Sequence, residues 1–223
     1  MTLESHKWAK IPLAHIATYL NDCLAISPHI ISVGCGNGAY EYEISLDNEK
    51  LRSKMILVDP EPEQFGKYPK TGRHLAVTHT TVASLVAQKP DVVDNCVLLL
   101  IWPPPTLPEN RLEPSYDYEA VMALKPKSII IVYEKPPDME WGAAGRFEMC
   151  RILKSPEEFG YRHISTTEYR FTTRIGALYP KISWLAKRGS LVPKNKNCYS
   201  LQKEADTISQ FTVADDPGAC SVS

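Results

Sequence analysis

The sequence predicts an α/β fold, a single three-layer domain with helices on both faces of a mostly parallel sheet. Two observations predict it. The runs His29–Val33, Lys54–Val58, Cys96–Ile101 and Ser128–Tyr133 are largely apolar on both faces and alternate with helical patterns, as strands of a covered parallel sheet do. The first run ends in Gly34-Cys35-Gly36-Asn37-Gly38, a glycine-rich turn between a strand and a helix.

The elements follow in order. Residues 7–26 form an expected amphipathic helix, with Trp8, Ile11, Ile16, Tyr19, Leu20 and Leu24 at roughly helical spacing and Pro28 closing it. His29–Val33 is the first strand, Ala39–Leu46 a short helix, and Lys54–Val58 a second strand ending at Asp59-Pro60. The stretch 60–73 reads as irregular, His74–Thr78 as a third strand and Val82–Gln88 as a helix. Asn95–Ile101 is a fourth strand, cut off by Pro103-Pro104-Pro105. Tyr116–Leu124 fits a helix, Ser128–Tyr133 a fifth strand and Phe147–Leu153 another helix. His163–Thr172 alternates like an exposed or antiparallel strand, with Asn197–Gln202 as its expected partner. Between them, 174–195 reads as an insertion with a helical turn about Ile182–Lys187. The domain is expected to span 1–203, and the polar stretch 204–223 to be a flexible tail.

The chain has 223 residues, enough to bury a core without disulfide staples. Its six cysteines, Cys23, Cys35, Cys96, Cys150, Cys198 and Cys220, show no zinc or redox spacing, so reduced thiols and a cytoplasmic or nuclear location are expected. The N-terminus lacks a basic-then-apolar leader, and the longest apolar run, Cys96–Ile101, is too short for a membrane span. No membrane partner is therefore expected. His74, His79 and His163 match no zinc pattern, so no metal site is expected either.

Net charge is −1 but unevenly spread: residues 169–203 hold Arg170, Arg174, Lys181, Lys187, Arg188, Lys194, Lys196 and Lys203 and no acid. Phe171, Tyr179, Trp184 and Tyr199 are interleaved with them. Cations for phosphates beside aromatics for bases suit RNA or another acidic partner, with Arg174, Lys181, Lys187, Arg188, Lys194 and Lys196 as candidate contacts. A solvated hairpin carrying lysines is the plain alternative.

The glycine turn lets a ligand approach the backbone, and Asp59 at the end of the second strand can accept hydrogen bonds from both ribose hydroxyls. That pairing suits an adenosine-bearing cofactor. Gly34 to Ala39 also satisfies the G-x-G-x-x-A form of a dinucleotide site, which keeps a nicotinamide-dependent enzyme as an alternative. The helix before the first strand and the shortness of the chain weigh against it.

Val33-Gly34-Cys35-Gly36-Asn37-Gly38 resembles motif I of class I S-adenosylmethionine-dependent methyltransferases. Val58-Asp59-Pro60 is similar to their acidic post-I position, and Leu99-Leu100-Ile101-Trp102-Pro103-Pro104 to their fourth-strand motif. Leu124-Lys125-Pro126 followed by Ser128–Val132 resembles the family's approach to strand five. The resemblance covers residues 10–203 and implies a Rossmann-like domain, a seven-stranded sheet with an antiparallel last strand, and S-adenosylmethionine as cofactor. It places Ser32, Gly34, Cys35, Gly36, Asn37, Gly38, Asp59, Thr81, Val82, Ile101 and Trp102 at the cofactor.

Three positions depart from the family's pattern. Ser32 stands where motif I carries an acid, Thr81 lies in the region where an acid meets the adenine, and Trp102 replaces an Asn or Asp that holds a target nitrogen. These departures motivate an alternative, a methyltransferase-like binding or scaffold protein without catalysis. If the chain is an enzyme, alignment supplies most of the rate of methyl transfer, and a base is needed only for an acceptor that holds a proton. Candidates at the C-terminal edge of the sheet are Tyr40, Glu41, Trp102, Tyr133 and Glu134, with Glu134 and Tyr133 the expected catalytic pair.

Overall fold

A computed structural model describes residues 13–60, 73–103, 116–134, 152–169, 171–173, 176–178, 180–190 and 192. The elements in chain order are α1 (Leu13–Cys23), β1 (His29–Val33), α2 (Ala39–Ile44), α3 (Glu49–Arg52), β2 (Met55–Val58), α4 (Val82–Gln88), β3 (Cys96–Ile101), α5 (Tyr116–Leu124) and β4 (Ser128–Glu134). The chain then continues through β5 (Tyr161–Glu168), β6 (Phe171–Thr173), β7 (Gly176–Leu178) and β8 (Pro180–Lys187).

Six strands form one sheet in the order β2-β1-β3-β4-β8-β5. The four strands from β2 to β4 are parallel, and β8 runs antiparallel to both of its neighbours. Pleating divides the sheet's side chains between two cores. Cys96, Leu98, Leu100, Ile129 and Ile131 face α4 and α5 on one side. Val97, Leu99, Ile101, Ile130 and Val132 face α1 and α2 on the other. Every residue of β3 is buried, which is why its sequence is apolar without alternation.

The buried stripe of α1 is His15, Ile16, Tyr19, Leu20 and Cys23, positions that share one helical face. Tyr19 packs against Trp184 of β8 with ring centroids 5.5 Å apart, and its hydroxyl shares a 3.1 Å hydrogen bond with Thr167 of β5. His15 bonds the Tyr169 hydroxyl. The N-terminal helix is thus keyed to strands from the far end of the chain. Residues 7–12 of the expected helix lie outside the described part.

The structure corrects two expectations. A seventh strand at His74–Thr78 does not form: the stretch carries no strand, and an isolated parallel bridge just after it joins His79 to Val58. His74, Ala76 and Thr78 are exposed there, so little apolar burial is available to extend a ladder. Second, Ile182–Lys187 is neither a helical turn nor part of an insertion but most of β8, seated between β4 and β5. Its residues from Ile182 to Ala186 are all buried, so the alternation that identifies an exposed strand is missing. β5 pairs with β8. Asn197–Gln202, its expected partner, and the tail 204–223 lie outside the described residues.

Beyond the sheet, β6 and β7 pair antiparallel in the same register that joins Glu168 to Lys181 in β5 and β8. The two strand pairs are therefore one long hairpin whose outer part extends past the sheet. It leaves at the edge where Glu134 of β4 meets Pro180. That is also the edge at which β1 and β2 end in Gly34 and Asp59. No helix among the described residues is long and apolar enough to cross a membrane.

Because Trp184 is almost fully buried at the centre of this arrangement, Trp184→Ala is expected to cost about 3–5 kcal/mol of stability. Urea denaturation measures it. A loss below about 0.5 kcal/mol, typical of a solvated surface position, would contradict the central place of β8.

Candidate functional site

The glycine turn is built by β1 and β2 together. Gly34 N–H donates to the Val58 carbonyl at 2.9 Å, carrying the ladder one residue past β1. Gly36 N–H donates to Asp59 Oδ2 at 2.7 Å. Gly34, Gly36 and Gly38 all have positive φ, at 70, 56 and 74°. A side chain at Gly38 would collide with Leu57 and the Leu75 carbonyl, each 2.6 Å from an added Cβ. Asn37 Oδ1 accepts the Ala39 N–H at 3.2 Å, at the start of α2. The motif therefore folds as a tight turn because this backbone path excludes most side chains.

Asp59 is only 4% exposed. Its backbone N–H donates to the His79 carbonyl at 3.1 Å, which brings the segment leading to Thr81 and Val82 alongside the end of β2. Thr81 caps α4: its hydroxyl accepts the Ser84 N–H at 3.0 Å. Ile101 ends β3 and is buried. Trp102 follows in a left-handed conformation, φ 52°, with its N–H donating to the Val132 carbonyl at 2.9 Å. A bulky residue held in that region marks local strain, as ligand sites commonly show. The buried Trp102 Nε1 has no partner among the described residues.

Below the turn, Ser32 is buried and its hydroxyl donates to Glu41 Oε1 at 2.6 Å. Glu41, from the first turn of α2, is 1% exposed, and its Oε2 has no partner among the described residues. Burial, and to a smaller extent the negative charge of Asp59, push the Glu41 carboxyl up to about 7, while the Ser32 bond opposes the shift. Burial followed by the Glu41 charge raises Tyr40 to about 12. Burial and both carboxylates also raise the Cys35 thiol, which disfavours its thiolate form.

The sequence pattern did not identify Tyr116. This residue opens α5, and its ring edge lies on Gly34, so close that an added Cβ would stand 2.6 Å from the phenol oxygen. No local signal marks it, because the contact joins segments distant in sequence.

The two expected catalytic residues lie at the end of β4. The Tyr133 hydroxyl shares a 3.1 Å bond with Ser183, Ser183 a 2.7 Å bond with Thr166, and Thr166 a 2.7 Å bond with the exposed His163. Glu134 pairs with Pro180 across the sheet, and its side chain lies outside the described part.

The structure does not gather the described basic residues into one patch. Lys181 sits at the glycine-turn edge and pairs with Glu168 at 2.5 Å. Lys187 lies at the opposite end of β8, where it pairs with Asp94, and the exposed Arg188 follows it. Arg174, Lys194 and Lys196 lie outside the described residues.

No family model matches the sequence, and no curated protein matches it. Solved structures similar to this chain are S-adenosylmethionine-dependent methyltransferases and other methyltransferases. The methyltransferase domain of bacterial CtHen1-C is 15% identical, with a TM-score of 0.44 over 78% of this chain and 97% of that one. A SAM-dependent methyltransferase from Anabaena variabilis is 10% identical, with a TM-score of 0.48 over 81% and 86%. A putative RNA methyltransferase from Pyrococcus horikoshii is 13% identical, with a TM-score of 0.42 over 78% and 79%.

Glu41 makes a testable mark on stability. Its carboxyl titrates near 7 when folded, against an ordinary value of 4.5. The folded state therefore keeps a proton that the unfolded chain releases, and stability is lost as pH rises through 7. Glu41→Gln removes this loss. Between pH 5 and pH 8 the variant is expected to gain on the wild type by on the order of 2–3 kcal/mol in urea denaturation. A pH-independent difference would contradict the buried, ionisable Glu41.

Proposed function

We propose that this chain binds S-adenosylmethionine at the glycine turn and transfers its methyl group. The observation that carries this reading is the pair of carboxylates around the turn. Asp59 stands at its rim, and Glu41 lies beneath it with one oxygen held by Ser32 and the other unpaired among the described residues. Such a site favours a cationic ligand. It opposes the pyrophosphate that the nicotinamide alternative requires, because Glu41 occupies the helix start that would otherwise attract an anion.

When bound, S-adenosylmethionine supplies a methyl carbon on a positively charged sulfur, open to in-line attack. Asp59 has the place and charge to hold the ribose hydroxyls. Ile101 and Trp102, at the end of β3, and Thr81 and Val82, at the start of α4, would hold the adenosine part of the cofactor. Ser32, Cys35 and Asn37 complete the turn. Glu134, with Tyr133 beside it, takes the acceptor's proton where one must leave.

The acceptor fits best at the outer hairpin, which rises from the same edge as the turn. RNA is the proposed acceptor class. Its contacts would come from the hairpin side, where Lys181 stands, rather than from Lys187 and Arg188 at the opposite edge.

One observation favours the non-catalytic alternative: the Tyr116 ring lies directly on Gly34, where a ligand's approach needs open backbone. Tyr116→Ala separates the two readings. An enzyme binds cofactor with Tyr116 in place, whereas a closed module binds it only after the ring is removed.

Calorimetric titration with S-adenosylmethionine and S-adenosylhomocysteine is the direct test. Wild type is expected to bind both, and Asp59→Asn to bind more weakly by about 1.5–3 kcal/mol. Folded wild type that gives no heat with either ligand removes the enzyme reading. Cofactor-loaded protein that methylates no RNA pool removes RNA as the acceptor.

A further inference from the structure

The sequence lacks an acid at Ser32, yet the structure brings one there from another element. We propose that Glu41, braced by the Ser32 hydroxyl, is the anchor for the α-ammonium group of the bound cofactor. This inference rests on the reading of the glycine turn as an S-adenosylmethionine site.

The geometry supports it in three ways. Glu41 projects from the first turn of α2 and is 1% exposed. Its Oε1 is fixed by the Ser32 hydroxyl at 2.6 Å, which places the carboxylate beside the position where the acid is missing. Its Oε2 is buried and unpartnered, a costly arrangement unless a donor arrives. The groups that act electrostatically around it are acidic or neutral: Asp59 at the end of β2, Cys35 in the turn and Tyr40 on its own helix. Among the described residues none supplies the cation that would let Glu41 stay charged.

A carboxyl so placed is about half protonated near neutral pH in the free protein. An ammonium group beside it favours the charged form and expels the proton to solvent. The balance is simple: a neutral carboxylic acid plus a cationic ligand gives a carboxylate–ammonium pair and one released proton. Ser32 and Glu41 together replace the missing motif acid with one that titrates in the physiological range.

The test is proton-linked calorimetry of the whole chain at pH 6 to 7, where an α-amino group of pKa about 7.7–8.0 stays largely protonated. Each titration is repeated in buffers of different ionisation enthalpy. S-adenosylmethionine and S-adenosylhomocysteine both carry the ammonium and are expected to release about half a proton per site at pH 7. The released fraction should rise toward one at pH 6 while affinity falls by up to about tenfold per pH unit. Methylthioadenosine, which lacks the amino-acid end, is expected to bind without release. Glu41→Gln should bind S-adenosylhomocysteine more weakly and abolish release.

The comparison of ligands on wild type does not depend on the folding of any variant. Binding without proton release, equal release by methylthioadenosine, or unchanged release in a folded Glu41→Gln protein overturns the anchor alone. Failure of all three ligands to bind folded wild type overturns the site reading and the anchor with it.

Discussion

The structure depends on the junction of β1 and β2 at the sheet's edge. The Gly34 N–H reaches Val58, and the Gly36 N–H reaches the Asp59 carboxylate. Together they lock the turn to the next strand. Three consecutive alternate glycines in left-handed conformations make this path possible. The described groups around the glycine turn are positioned about that lock. Glu41 is placed because α2 starts where the turn ends, Thr81 because His79 bridges Val58, and Tyr116 because α5 packs its first residue onto Gly34.

A second constraint is the antiparallel β8 in the middle of the sheet. It buries Trp184 against Tyr19 of α1 and so closes the domain between its two ends. The same strand divides the basic segment, since a fully extended strand puts Lys181 and Lys187 at opposite edges. Each is then occupied by a carboxylate, Glu168 or Asp94. The uniform basic surface suggested by composition therefore does not exist among the described residues. What remains is a hairpin that leaves the sheet at the same edge as the glycine turn, with β3 and β4 between them.

The parallel half of the fold was legible because burial on both faces demands apolar runs, and β1, β2, β3 and β4 are such runs. Gly34 to Gly38 and Asp59 were legible for a different reason: backbone conformation and strand-end placement are local. His74–Thr78 was overread as a strand, since a short stretch of mixed residues carries no information about how many ladder bonds it makes. Tyr116 was invisible, and β8 was misread, because each acquires its meaning from a partner far along the chain.

The sequence by itself determined the alternation of strands and helices, the turn and the acid beyond it, all of which follow from local periodicity and stereochemistry. Tertiary structure alone decided where the charges stand. Ser32 looked like a lost acid in the sequence, and folding returned one to it by packing the first turn of α2 beneath β1. A carboxylate's partners and its desolvation are set by what surrounds it in space, so neither the 2.6 Å bond nor the displaced titration of Glu41 could be read from residue order.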